Sequence, residues 1–180
     1  MVYVHLADGF EEVEALTVVD LLRRADIETQ TVSIMGKLAV KGSHDIKVVA
    51  DIIFEDAVYS ECEMIVLPGG MPGSANLDAH DGLREKIHSF NNQEKWLAAI
   101  CAAPLVLGHA GVLKGKKATC YPGFEKELDG AEALTDSVVV DKNIITSRGA
   151  GTAMLFALKL IKELKGKELA SKIAEKLLYS

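Results

Sequence analysis

The sequence predicts an α/β fold built on a doubly wound, mostly parallel sheet. Two observations carry that prediction. Short strand-like apolar runs alternate with helical runs along the chain. The strand-like runs are apolar at nearly every position, as strands covered by helices on both faces are. The length, 180 residues, suits one domain over 1–180. A chain of that length buries roughly 70% of its unfolded surface and needs no disulfide or metal staple.

The elements follow in order. Val2 to Leu6 is a β-rich run ended by Ala7-Asp8-Gly9, and Glu11 to Ala25 reads as a helix. Glu11 and Glu12 suit the positive end of its dipole. Glu28 to Ile34 reads as a strand, Met35-Gly36-Lys37 as a turn, and two short strands are expected near Ala39 and over Ile46 to Val49. Met64 to Leu67 is a strand ended by Pro68-Gly69-Gly70, with a helix around Leu83 to Asn91. Trp96 to Ile100 is a buried strand running into Cys101 and a helix from Ala102 to about His109. Lys117 to Cys120, Val138 to Val140 and Asn143 to Ser147 read as strands. Two helices close the chain: Thr152 to Leu164, apolar nearly all round and expected to be buried, and the amphipathic Lys167 to Leu178.

Composition narrows the class. A net charge of −6 argues against non-specific binding to nucleic acid or to anionic membranes. Cys62, Cys101 and Cys120 are too few for a disulfide scaffold. The start, MVYVHLADGFEE, has neither the basic nor the long apolar region of a signal peptide, and no run is long enough to span a bilayer. A cytoplasmic location is therefore expected.

Doubly wound sheets bind ligands at the carboxyl ends of their strands, which draws attention to the residues just beyond them. Cys101 sits where a buried strand meets a helix start, in the outline of a nucleophile elbow, with small Ala102 and Ala103 permitting a tight turn. A thiol at a helix N-terminus has its pKa lowered by the dipole and the free backbone N–H groups, which can also hold an oxyanion. The plainer alternative is a small buried cysteine; the position favours the reactive one. Glu14 shares a helix face with Val18, Leu21 and Ala25. A carboxyl on an apolar stripe has a raised pKa and can act as acid, base or hydrogen-bond donor to a thiolate. A first-turn glutamate serving the dipole is the other reading, and the pattern alone leaves both open.

Pro68 to Gly73 permits close backbone approach, but it lacks the Lys and Ser/Thr of a phosphate loop. Arg148, at a strand end, reads as a loop lock, with an acid-binding role as the alternative. Cys120 reads as a packed thiol near the crevice, and Cys62 as surface. No spacing of the five histidines resembles a zinc site, and His109 lies about 12 Å up the helix from Cys101. No metal or cofactor is expected, and a local Cys–His dyad of the protease kind is not supported.

The segments ADGFEEVEA, VVDLLRRA, IVLPGG, AAICAAP and TSRGAGT occur in that order. Together they resemble the ThiJ/PfpI superfamily, in particular its DJ-one branch with the bacterial ThiJ/YajL relatives. The resemblance covers nearly the whole chain. It implies a flavodoxin-like α-β-α sandwich of the class I glutamine amidotransferase-like kind, assembled as a homodimer. It implies that Cys101 is the reactive, easily oxidised cysteine, that Glu14 contacts it, and that Gly70 and Ala102 supply backbone donors. Gly69, Tyr121, His44 and Arg24 fall at pocket or anion positions, Arg24 from across the dimer. Implied activities are glutathione-independent glyoxalase, converting methylglyoxal to lactate, and deglycation of early adducts. Redox sensing through a Cys101 sulfinate and chaperone behaviour form the alternative. Tyr121 stands where animal members carry His, so Glu14 would carry more of the proton transfer. His44 stands where the family has Arg, which makes anion binding there pH-dependent.

Overall fold

The computed structural model describes residues 1–179. The chain opens with β1 (Val2–Leu6), α1 (Glu12–Arg24) and β2 (Thr29–Ser33). An antiparallel hairpin follows, β3 (Ala39–Lys41) with β4 (Lys47–Val49), and then the two-residue β5 (Ile52–Ile53). Next come β6 (Met64–Leu67), α2 (Gly73–Asp78), α3 (Asp81–Asn92), β7 (Trp96–Ile100) and α4 (Pro104–His109). The chain ends with β8 (Lys117–Ala118), β9 (Glu132–Ala133), β10 (Val138–Asp141), β11 (Ile144–Ser147), α5 (Ala153–Lys165) and α6 (Lys167–Lys176).

Seven strands form the main sheet in the order β10-β11-β7-β6-β1-β2-β5. All neighbours are parallel except β10 and β11. The chain steps outward from β1 through β2 to β5, then restarts at β6 on the other edge of β1. That reversal opens a crevice at the carboxyl ends of β1 and β6, because the connections leaving them diverge.

Successive strand residues face opposite helical layers. Val4, Leu6, Val66, Ala98 and Ile100 pack on one side with α1, α5 and α6; Ile65, Leu67, Leu97 and Ala99 pack on the other with α2, α3 and α4. Both faces are covered, which is why the strands show no polar alternation. No helix among the described residues is long and apolar enough to cross a membrane.

Several expectations need correction. The strand expected over Lys117 to Cys120 pairs only at Lys117 and Ala118, because the N–H of Thr119 donates to the Thr146 side chain at 2.9 Å and leaves the ladder. The helix after Cys101 starts at Pro104, and the two alanines form a turn before it. That helix is six residues long, so its dipole is weak at the thiol. The α5 helix is not buried all round: Leu155 is exposed and Lys159 pairs with Glu163 at 3.0 Å. Cys62 is buried, not at the surface, and its thiol donates to the Met64 carbonyl. The α2 helix, which carries the chain out of the site, has no counterpart in the sequence reading.

Candidate active site

Three strand ends converge at the crevice. From β1 the chain turns at Gly9 into α1, and Glu11 caps that helix by accepting the Val13 N–H at 3.4 Å. One turn on, Glu14 points inward with no exposed surface, on the face it shares with Val18 and Leu21. From β6 the chain enters Pro68-Gly69-Gly70, and the N–H of Gly69 donates to Glu14 Oε2 at 2.8 Å. The Gly69 carbonyl accepts the Glu11 N–H at 2.8 Å, which ties the two loops together.

From β7 the chain enters Cys101, whose φ is +66°. A cysteine in this left-handed region costs on the order of 1–3 kcal/mol. The conformation is held from both sides: the Cys101 N–H donates to the Ser147 carbonyl at 2.9 Å, and the Cys101 carbonyl accepts the Tyr121 N–H at 2.8 Å. The sharp turn aims the side chain back into the crevice. Gly69 is required there, because a Cβ on it would lie 2.5 Å from Cys101 Cβ and 2.7 Å from Glu14 Oε2.

The electrostatics follow from burial. Burial pushes the Glu14 carboxyl up to about 7; the Glu11 charge adds to this, while the thiol and the Gly69 N–H pull it back. Burial also pushes the Cys101 thiol up to about 12, aided by the Glu14 charge and opposed by the N–H groups of Ala102 and Gly70. The thiol is therefore not lowered by its helix start as expected, since that helix is short and the Glu14 carboxylate stands against it. Carboxyl and thiol act on each other's titration, yet Glu14 Oε1 has no hydrogen-bond partner of ordinary geometry among the described residues. Below about pH 7 both groups carry a proton, and above it the pair shares a single one. Placing that proton on Oε1 gives the orphaned oxygen a donor role and leaves the sulfur facing two backbone N–H groups.

The remaining residues separate into groups. Tyr121 is half-exposed, with its ring against Gly149; a Cβ on Gly149 would lie 3.2 Å from Tyr121 Cδ2 and 3.9 Å from Cys101 Sγ. Gly149 and Ser147, both within TSRGAGT, also border the site; the sequence marks them by their place at a strand end but gives them no role there. His44 is not beside Cys101. Its N–H donates to Glu12 Oε1 at 2.8 Å and its ring meets Glu12 Oε2 at 2.9 Å, with Ser43 Oγ bridging. Burial would raise Glu12, but His44 and backbone N–H groups hold it down at about 2, and Glu12 in turn raises His44. Arg24 pairs with Asp20 at 2.7 Å at the far end of α1, about 15 Å from Glu14 along the helix. The ring of His109 bridges Asp78 and Glu127, and Cys120 is a packed thiol pushed by burial up to about 11.

The family model for the DJ-1/PfpI family matches residues 1–163. The chain belongs to that family. A dj-1beta protein of Drosophila melanogaster is 40% identical over 177 residues, covering 97% of this chain and 95% of that one. Its crystal structure superposes with a TM-score of 0.96 at 39% identity, covering 99% of this chain and 97% of that chain. An oxidized DJ-1 from Toxoplasma gondii matches with a TM-score of 0.95 at 39% identity, covering 99% of this chain and 98% of that one. A relative from Schizosaccharomyces pombe, called a glutathione-independent glyoxalase, is 30% identical over 173 residues, covering 91% of this chain and 90% of that one. DJ-1 homologs B and A of Arabidopsis thaliana are 39% identical over 96% and 98% of this chain, which spans only 40% and 46% of their lengths.

Proposed function

We propose that this protein is a cysteine-dependent, glutathione-independent glyoxalase that converts methylglyoxal to lactate and takes related α-oxoaldehydes or early glycation adducts. One observation carries the reading: the Cys101 thiol, the Glu14 carboxyl and the Gly70 and Ala102 N–H groups meet at one point of the crevice. The glyoxalase name of the Schizosaccharomyces pombe relative supports it.

The chemistry uses these groups in turn. Glu14 accepts the thiol proton as Sγ adds to the aldehyde carbon, giving a hemithioacetal oxyanion. The Gly70 and Ala102 N–H groups stabilise that oxygen where its charge develops. Glu14, poised near 7, hands the thiol proton on to the C2 ketone oxygen, takes the C1 proton as a carboxylate and returns it to C2. C1 becomes a thioester carbonyl and the C2 ketone becomes a hydroxyl. Water hydrolyses the thioester, releasing lactate and restoring the thiol. The sum is methylglyoxal plus water to lactate and a proton, with no external oxidant or reductant. Tyr121 carries no proton in this scheme; it shapes the rim.

The test is protection. Methylglyoxal is expected to slow iodoacetamide labelling of Cys101, read by peptide mass spectrometry, and the labelled protein is expected to lose lactate formation. Labelling that is indifferent to methylglyoxal would overturn the reading.

A second reading has an observation of its own. The orphaned Glu14 Oε1 carries a proton below about pH 7 and in that form is placed to donate to an oxygen of a Cys101 sulfinate, as in a redox sensor. Peroxide-treated protein would then carry a stable sulfinate at Cys101 that Glu14→Ala fails to retain. We further propose a homodimer. Val13 and Leu16 leave one face of α1 exposed and apolar, and sedimentation at micromolar concentration tests it.

A further inference from the structure

A second hollow adjoins the thiol at Gly149. This hollow of about 420 Å³, lined by Tyr121, Pro122, Ser137, Arg148 and the 149–152 turn, opens on the far side of Gly149 from the elbow. Gly149 separates it from Cys101 by no side chain, since even a Cβ there would still stand 3.9 Å from Sγ. The hollow is larger than a three-carbon oxoaldehyde needs.

Arg148 is the charge in that wall. Of the four arginines, Arg23, Arg24 and Arg84 each pair with an aspartate. Arg148 pairs with no carboxylate among the described residues. Its Nη1 donates to the Thr135 carbonyl at 3.2 Å. That bond accounts for a loop lock, but it uses one nitrogen and leaves the Nε–Nη2 edge free. This edge is the one that matches a carboxylate with two parallel hydrogen bonds.

We propose that Arg148 is a specificity-determining residue, and that the preferred substrate is an α-oxoaldehyde whose far end carries a carboxylate. The proposal rests on the glyoxalase reading for the reaction, but the recognition itself is separable from turnover. The aldehyde carbon sits at Cys101 Sγ, the chain of the substrate passes over Gly149 between Tyr121 and Ser137, and the carboxylate meets the guanidinium. Methylglyoxal fills only the part nearest the sulfur.

The test uses two alkylating agents of similar size that differ at their far end, N-iodoacetyl-β-alanine with a carboxylate and its neutral amide, with labelling of Cys101 followed by peptide mass spectrometry. Arg148→Gln keeps a donor for the Thr135 carbonyl and removes the charge. The acid-to-amide rate ratio is expected to fall about tenfold in this variant, at an unchanged rate for the amide; Arg148→Lys is expected to lose less. An unchanged ratio in Arg148→Gln overturns the proposal. In turnover, 4,5-dioxopentanoate is expected to have a lower KM than methylglyoxal, and Arg148→Gln to raise the KM for the former alone while sparing kcat. If neither compound is turned over by the wild type, the glyoxalase reading fails and the labelling ratio still judges Arg148. Should Arg148→Gln not fold, the wild type decides. Glutarate, and not its neutral diamide, is expected to slow iodoacetamide at Cys101; equal protection by both, or by neither, overturns the proposal.

Discussion

Replacing Glu14 by Gln keeps the shape of the side chain and removes its ionisation. The carboxyl is fully buried and titrates near 7 in the folded protein against 4.5 as its ordinary value. A raised folded pKa means that the native state binds the proton more tightly than the unfolded chain does. Stability is therefore greatest below 4.5, falls as pH rises from 4.5 to about 7, and stays lowered above. The difference corresponds to about 3 kcal/mol. Below pH 4.5 the protonated acid and the amide are near-equivalent, so wild type and Glu14→Gln should be about equally stable there. At pH 8 the variant should be more stable by about 3 kcal/mol, a Tm gain of roughly 6–12 °C for a chain of this size. Urea denaturation at fixed protein concentration, from pH 4.5 to 8, measures both proteins. Other titrating groups cancel in the difference. A difference that stays flat across this range, or favours the wild type at pH 8, would refute the account of a desolvated carboxyl. The same variant should lose methylglyoxal turnover, so the group that costs stability is the one the proposed chemistry uses.

Three further outcomes follow from the same geometry. Iodoacetamide labelling of Cys101 should rise through an inflection near pH 7, where the thiol–carboxyl pair loses its first proton, and that inflection should be missing in Glu14→Gln; a profile identical in both proteins contradicts the coupling. Gly69→Ala should lose activity and about 1–3 kcal/mol of stability, because its Cβ meets Cys101 Cβ and Glu14 Oε2 at once; a variant with wild-type Tm and turnover rules out that packing. His5 is buried beside Tyr59, with burial first and the His80 charge second lowering its pKa to about 3. Its folded pKa is depressed, so its contribution is full above 6.5 and is lost as pH falls toward 3, by up to about 5 kcal/mol. His5→Gln should flatten that acid limb, and denaturation at pH 4 and 7 checks it.

The cysteine and the glutamate that meet in the crevice were legible because each is marked locally. Cys101 lies between a fully apolar strand and a helix start, and Glu14 lies on an apolar helical stripe; chain order then puts both at strand ends on one edge of the sheet. The sense of the thiol's shift was not legible. It depends on how deeply two side chains eight strands and helices apart in the chain are buried together, and on a helix that begins two residues later than its apolar pattern suggests. Cys62 misleads for a related reason: its neighbours Glu61 and Glu63 are polar, but the chain is already entering β6 and turns the thiol inward. The α2 and β5 elements are too short to show a period, and tertiary contacts alone define them. The attachment of His44 to Glu12 is likewise a contact between distant segments, which no spacing reveals.

The most direct measurement is lactate formed from methylglyoxal in the absence of glutathione, by wild type, Cys101→Ser and Glu14→Gln purified identically. The account predicts sustained turnover by the wild type and none above the uncatalysed rate in either variant. Turnover by Cys101→Ser equal to the wild type, or no turnover by the wild type, would contradict it.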